Sequence, residues 1–158
     1  GLSSNKAKDK ADDLLKQFGL KDKASLYPIQ LSGGQRQRVA ISQQFMCSSH
    51  FLLMDEPFSG LDPVAVAKVC EMITGMASSD ELNTIVVITH DIEAALEVSD
   101  TIWLLGRERD PEGKVIPGAR IQATYNLMDR GLAWRKSIRH DPNFVALLQE
   151  IYDYFPKL

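Results

Sequence analysis

Cysteine is scarce in this sequence. Cys47 and Cys70 are the only two, and neither sits in a Cys-x-x-Cys or Cys/His spacing. That argues against a zinc site and a disulfide framework, and it fits a reducing compartment. Long apolar runs are also missing: FLLM and TIVVI fall far short of the roughly 18 to 20 residues that cross a bilayer. The opening KAKDKADD lacks the apolar stretch of a signal peptide. There is no excess of positive charge, since Lys+Arg number 18 against 21 Asp+Glu for a net charge of -3. A chain without a basic field is not expected to have nucleic acid as its main partner. Internal repeats and low-complexity tracts are absent as well.

What remains is the composition of one ordinary globular unit, 44% hydrophobic and 25% charged over 158 residues. Ala7, Ala11, Leu14, Leu15 and Phe18 recur at helical spacing, and Gly19 stands where a C-terminal cap belongs, so a helix is expected over residues 4–18. Its lysines read as a solvated face. A second helix is expected from about Gly33 to Cys47. FLLMDEP then reads as a short buried strand ended by proline. Asp62-Pro63 pairs a cap with a first-turn proline and opens a helix to about Met76. TIVVIT, residues 84–89, has the pattern of a strand covered on both faces. Helix, strand, helix, strand predicts a parallel α/β sheet.

Beyond it, Asp91 can cap a helix from Ile92 to Val98, and TIWLL (101–105) reads as a third strand. GRERDPEGKVIPGAR is a Gly/Pro/charge-rich surface loop that leads to a short edge strand over 120–124. A final helix from Asp141-Pro142 aligns Phe144, Leu147, Leu148, Ile151 and Phe155, which reads as a packing stripe.

The stretch LSGGQRQRVAISQQ, residues 31–44, starts a helix with two glycines. Ser32 and Gln35 have capping-box spacing, which explains those two residues. Gly33 and Gly34 are left costing about 1 kcal/mol each relative to alanine. Glycine is useful there if something must approach the backbone closely, and a helix N-terminus with unpaired N–H groups suits a phosphate.

These residues carry a resemblance. LSGGQRQRVAI is similar to the signature motif of ATP-binding-cassette (ABC) ATPases. MDEP resembles the Walker B strand end, SGLDP the D-loop and THD the switch-histidine loop, in that family's order and spacing. The resemblance runs from Leu31 to about Leu105. It implies an α/β, partial P-loop NTPase (ABC ATPase) fold, a mostly parallel sheet with flanking helices plus part of the helical subdomain. Residues 1–48 would be part of that subdomain with the signature helix, 49–125 the carboxyl-terminal part of the ATPase core, and 126–158 a helical C-terminal extension.

By the same resemblance, Asp55 helps hold Mg²⁺ through water and Glu56 polarises the attacking water as general base. Adjacent carboxylates at the end of an apolar strand are themselves an expensive arrangement without a compensating cation or water chemistry. His90, directly after a buried strand at the ligand-collecting carboxyl edge, resembles the switch histidine that contacts the γ-phosphate. Ser32, Gly33, Gly34 and Gln35 would face ATP held by a second cassette in a head-to-tail dimer. Ser59, Gly60 and Asp62 form a turn and a cap, and the family implies that they also carry dimer contacts. His50 and His140 match no motif position.

No G-x-x-x-x-G-K-[S/T] phosphate loop occurs; Gly113-Lys114 is followed by Val115 and lacks the earlier glycine. A helix terminus stabilises an anion by about 0.3 to 1 kcal/mol, up to roughly 2. One or two charge-assisted hydrogen bonds add about 1.5 to 3 kcal/mol each. Micromolar affinity needs about 8 kcal/mol, so the chain alone is expected neither to bind ATP tightly nor to turn it over. The half that would carry the phosphate loop would also supply neighbouring strands. An uncovered edge or apolar face is therefore expected, and with it self-association.

The resemblance also departs where Ser42, Gln43 and Gln44 replace the Ala-Arg-Ala of many members, and it is loose after Leu105. It implies an energy-coupling ATPase subunit of a bacterial importer of a small solute, of the nitrate or sulfonate type from the loop and last helix. Such a subunit is cytoplasmic, peripheral on the inner face of the membrane and docked on transmembrane permease subunits. The alternatives are a soluble ABC ATPase acting on nucleic acid or ribosomes, of which the chromosome type is disfavoured because the short first helix lacks sustained heptads, and a non-catalytic interaction module.

Overall fold

The structure, a computed structural model, describes residues 3–47, 50–135 and 138–157. It divides into two compact units, Gly1–His90 and Asp91–Leu158. That division lies within the span 49–125 expected for the ATPase core, and the boundary expected at residue 48 falls outside the described residues. Among the described residues no helix is long and apolar enough to cross a membrane.

In the first unit, helix α1 (Ser4–Gln17) buries Leu14, and Phe18 and Leu20 just after it are almost wholly enclosed. Gly19 adopts φ +65°, the left-handed turn that ends a helix and that glycine takes without strain. Helix α2 (Gly33–Cys47) packs on α1. Its Arg38 donates from Nη1 to the Phe18 carbonyl at 3.0 Å, placing a cation at the negative end of α1. Strands β1 (Phe51–Asp55) and β2 (Thr84–Ile88) pair in parallel, from Phe51 opposite Thr84 to Asp55 opposite Ile88. Helix α3 (Pro63–Ala77), capped by Asp62 Oδ1 accepting from the Ala65 amide at 2.9 Å, packs against β2. The parallel helix-strand-helix-strand order is therefore as the sequence patterning predicts.

Coverage of the sheet is not. Leu52 and Met54 are buried, but Phe51 is 63% and Leu53 54% exposed, so β1 is covered on one face only. Ile88 on β2 is likewise 48% exposed. The reason is that this sheet has two strands among the described residues and α3 protects one side. A run of apolar residues reports what a strand is suited to contact, and the contact itself must come from elsewhere. The uncovered apolar face expected from the sequence is thus present.

The second unit starts with helix α4 (Ile92–Val98), whose cap Asp91 accepts from the Ala94 amide at 3.0 Å. Strand β3 (Thr101–Gly106) pairs antiparallel with β4 (Arg120–Asn126), with an irregularity between Leu104 and Leu105. The edge strand read as 120–124 therefore runs two residues further. Helix α5 (Pro142–Tyr154) lays Phe144, Leu147 and Ile151 into a core with Leu96, Ile102, Leu104 and Leu127. Leu148 packs at its margin, while Phe155 lies beyond the helix and is exposed. Arg139 joins the turn before α5 to α4 by reaching Glu93 at 3.1 Å and Glu97 at 2.6 Å, one helical turn apart.

The α5 cap, Asp141, accepts from the Asn143 amide at 2.9 Å and pairs with Arg135 at 2.7 Å. The amide first, then Arg135, hold its carboxyl below the usual range. A carboxyl depressed in the folded state contributes stability above its unfolded pKa of about 3.9 and loses it as pH falls through the folded value. Asp141→Asn keeps an acceptor for the cap but neither titrates nor pairs with Arg135. We expect it to be less stable than the parent at neutral pH, with the difference vanishing as pH falls below about 4. Urea unfolding followed by Trp103 and Trp134 fluorescence, both in this unit, measures it. A difference that is constant or grows in acid contradicts the assignment.

Candidate functional site

The carboxyl ends of β1 and β2 bring together Asp55, Glu56 and His90 of the residues singled out from the sequence. The parallel ladder does not stop at Asp55: the Glu56 amide donates to the Ile88 carbonyl at 2.8 Å. At Glu56 the chain turns with φ +48°, left-handed for a residue with a side chain. That conformation costs an L residue about 1 to 2 kcal/mol. Its effect is visible at once: Glu56 Oε2 lies 2.9 Å from His90 Nδ1, and Thr89 Oγ1 donates to the same oxygen at 3.4 Å. Strand alternation by itself makes adjacent residues such as Asp55 and Glu56 point differently. The backbone provides a further cause, since Glu56 has already left the strand.

Glu56 and His90 thus form a pair open to solvent, with side chains 38% and 78% exposed. An ionised carboxylate accepts at about four positions, so these two bonds leave capacity for a water molecule. Asp55 is exposed at the strand tip. Among the described residues no three His, Cys, Asp or Glu side chains converge as a metal cage. A lone carboxylate suits Mg²⁺, which keeps several waters and takes further ligands from substrate phosphates.

The start of α2 forms the capping box expected of it. The Gln35 amide donates to Ser32 Oγ at 3.3 Å, and the Ser32 amide donates to Gln35 Oε1 at 2.9 Å. The two glycines part company. A methyl group at Gly33 would meet nothing within 4 Å, whereas one at Gly34 would lie 2.9 Å from the Gly60 carbonyl. Gly34 is therefore required by the chain's own D-loop-like turn, and Gly33 alone keeps its backbone open to an incoming group. In that turn the Ser59 amide donates to the Glu56 carbonyl at 3.2 Å, Gly60 takes φ +69° and Asp62 caps α3. The Asp62 carboxyl is held below its usual range by the Ala65 amide, with a smaller contribution from the charge of Arg38.

His50 lies apart, 3.3 Å from Asn83 Oδ1, and His140 belongs to the turn before α5. The sequence placed Thr89 in the THD motif without assigning it a role, and it did not reveal Gln37 as a member of the site. Gln37 Nε2 donates to the Glu56 carbonyl at 3.1 Å. A bond across 19 positions leaves no periodic trace in a sequence, although the glutamine stands two residues after Gln35.

A model of the ABC transporter family matches residues 2–59. The L-cystine import ATP-binding protein TcyC of Bacillus subtilis is 36% identical over 132 residues, 81% of this chain and 53% of that protein. The glutamine transport ATP-binding protein GlnQ of the same organism is 40% identical over 117 residues, 74% of this chain and 46% of that protein. The ATP-binding subunit of an ABC transporter superposes with a TM-score of 0.65 at 27% identity over 93% of this chain and 56% of its own. A dimeric bacterial ABC transporter cassette gives 0.63 at 28% over 80% and 50%. The chain spans about half the length of these relatives.

Gly33 and Gly34 can be separated experimentally. Gly33→Ala should leave the chain as stable as the parent or raise its stability by up to about 1 kcal/mol through helix propensity. Gly34→Ala should lower it, because the carbonyl in its way is backbone and cannot rotate aside. Urea denaturation followed by circular dichroism decides; equal effects would contradict the geometry.

Proposed function

We propose, from the premise that this chain belongs to the ABC transporter ATP-binding subunits, that it is the signature-to-switch portion of an ATPase driving a bacterial importer of a small solute. In this reading residues 1–48 are helical subdomain, 49–125 ATPase core and 126–158 an extension. The subunit works on the cytoplasmic face, docked on transmembrane permease subunits. Two cassettes meet head to tail, so that Ser32, Gly33, Gly34 and Gln35 face the terminal phosphate of ATP held by the second cassette. Ser59, Gly60 and Asp62 lie at the interface. The relatives are named for import of cystine and transport of glutamine, which supports an amino-acid-like solute over nitrate or sulfonate.

The observation that carries the reading is the 2.9 Å approach of His90 Nδ1 to Glu56 Oε2 at the carboxyl edge of a parallel strand pair. A carboxylate aimed by an imidazole, beside a hydroxyl, is suited to take a proton from a water held over the edge. Asp55 would hold Mg²⁺ through water. When bound, the ion neutralises charge on the phosphates. The capped start of α2 offers its N–H groups to a phosphate and, with Gly33, no side chain in the way.

In the intact two-cassette assembly, Glu56→Gln should slow ATP hydrolysis by about 10²-fold or more while ATP-driven dimerisation persists. Phosphate release measured beside gel filtration tests it, and parental turnover would remove Glu56 from this role. The chain by itself, without a phosphate-loop sequence, should show no micromolar Mg-ATP binding in calorimetry; a micromolar isotherm would contradict the affinity argument.

A further inference from the structure

Glu56 is held in a left-handed turn that L side chains resist. Three bonds surround that turn. Its amide is fixed to Ile88 by the sheet, and its carbonyl accepts from the Ser59 amide within the loop and from the Gln37 side chain. The last comes from a different element. Gln37 stands on α2, half-buried, two residues after Gln35. The close seating of Gly34 on the Gly60 carbonyl brings the helix start onto the loop.

We propose that Gln37 is a positioning residue for Glu56: its amide holds the Glu56 carbonyl so that the left-handed turn keeps the carboxylate on His90. Because Gln37 and the capped Ser32–Gln35 start share one helix, a phosphate meeting the start of α2 and the carboxylate of the same chain are mechanically linked. The kinetic consequence rests on the ATPase reading above. The bond and its hold on the turn do not.

Two variants separate the effects. Gln37→Met keeps length and removes the donor; Gln37→Lys restores a donor. In the chain itself, Gln37→Met should lower the urea midpoint. It should lower it measurably less in a Glu56→Gly background, because glycine adopts the turn unaided. Equal losses in the two backgrounds overturn the hold on the turn.

In the two-cassette assembly, Gln37→Met should reduce kcat about tenfold or more, as misplacement of a reacting group does, with the KM for ATP changed less than about twofold. Gln37→Lys should recover most of the rate. Parental kcat in Gln37→Met, in an assembly where Glu56→Gln is slow, overturns the positioning role. If Glu56→Gln itself turns over normally, the ATPase reading falls, and the midpoint comparison alone decides for or against the hold of Gln37 on the turn.

Discussion

The site depends on one backbone constraint. Glu56 extends the parallel ladder by one more hydrogen bond to Ile88 and then turns left-handed. A right-handed or extended continuation would aim the side chain and the following loop elsewhere. Because the amide is bound in the sheet and the carbonyl receives both Ser59 and Gln37, the neighbourhood holds a conformation that the residue alone disfavours. The carboxylate consequently lies against His90 and Thr89, residues that follow the neighbouring strand directly.

The glycines of α2 follow from the same geometry. Close packing of a helix start on a loop leaves no room for a Cβ at Gly34, where the obstacle is the rigid Gly60 carbonyl. One turn on, that closeness lets Gln37 reach the Glu56 carbonyl. Gly33 has no such neighbour. Of the pair it is the one whose missing side chain an approaching phosphate would account for under the function proposed above. Arg38 extends the network in the other direction, bonding the carbonyl end of α1 and bringing its positive charge near Asp62. These contacts are individually modest, but they share one helix.

The second unit is organised differently, around an apolar core beneath an antiparallel strand pair, with Arg139 tying the turn before α5 to Glu93 and Glu97 of α4. Its helix α5 was readable because Phe144, Leu147 and Ile151 repeat at the helical period behind an Asp-Pro start. The caps Asp62, Asp91 and Asp141 were readable for an equally local reason: each accepts from an amide two or three residues on.

The sequence by itself determined what acts over a few residues: the helix starts, the parallel strand order, the capping box of Ser32 and Gln35, and the carboxylate pair at the strand tip. Periodicity and short-range hydrogen bonding suffice for these. Tertiary structure decided what depends on residues far apart in the chain. It alone distinguished Gly34 from Gly33, recruited Gln37 and Thr89 to Glu56, and left Phe51, Leu53 and Ile88 exposed where apolar runs promised burial. A side chain's partner across 19 or 33 positions is set by how elements pack, and the pattern within either element carries no record of it.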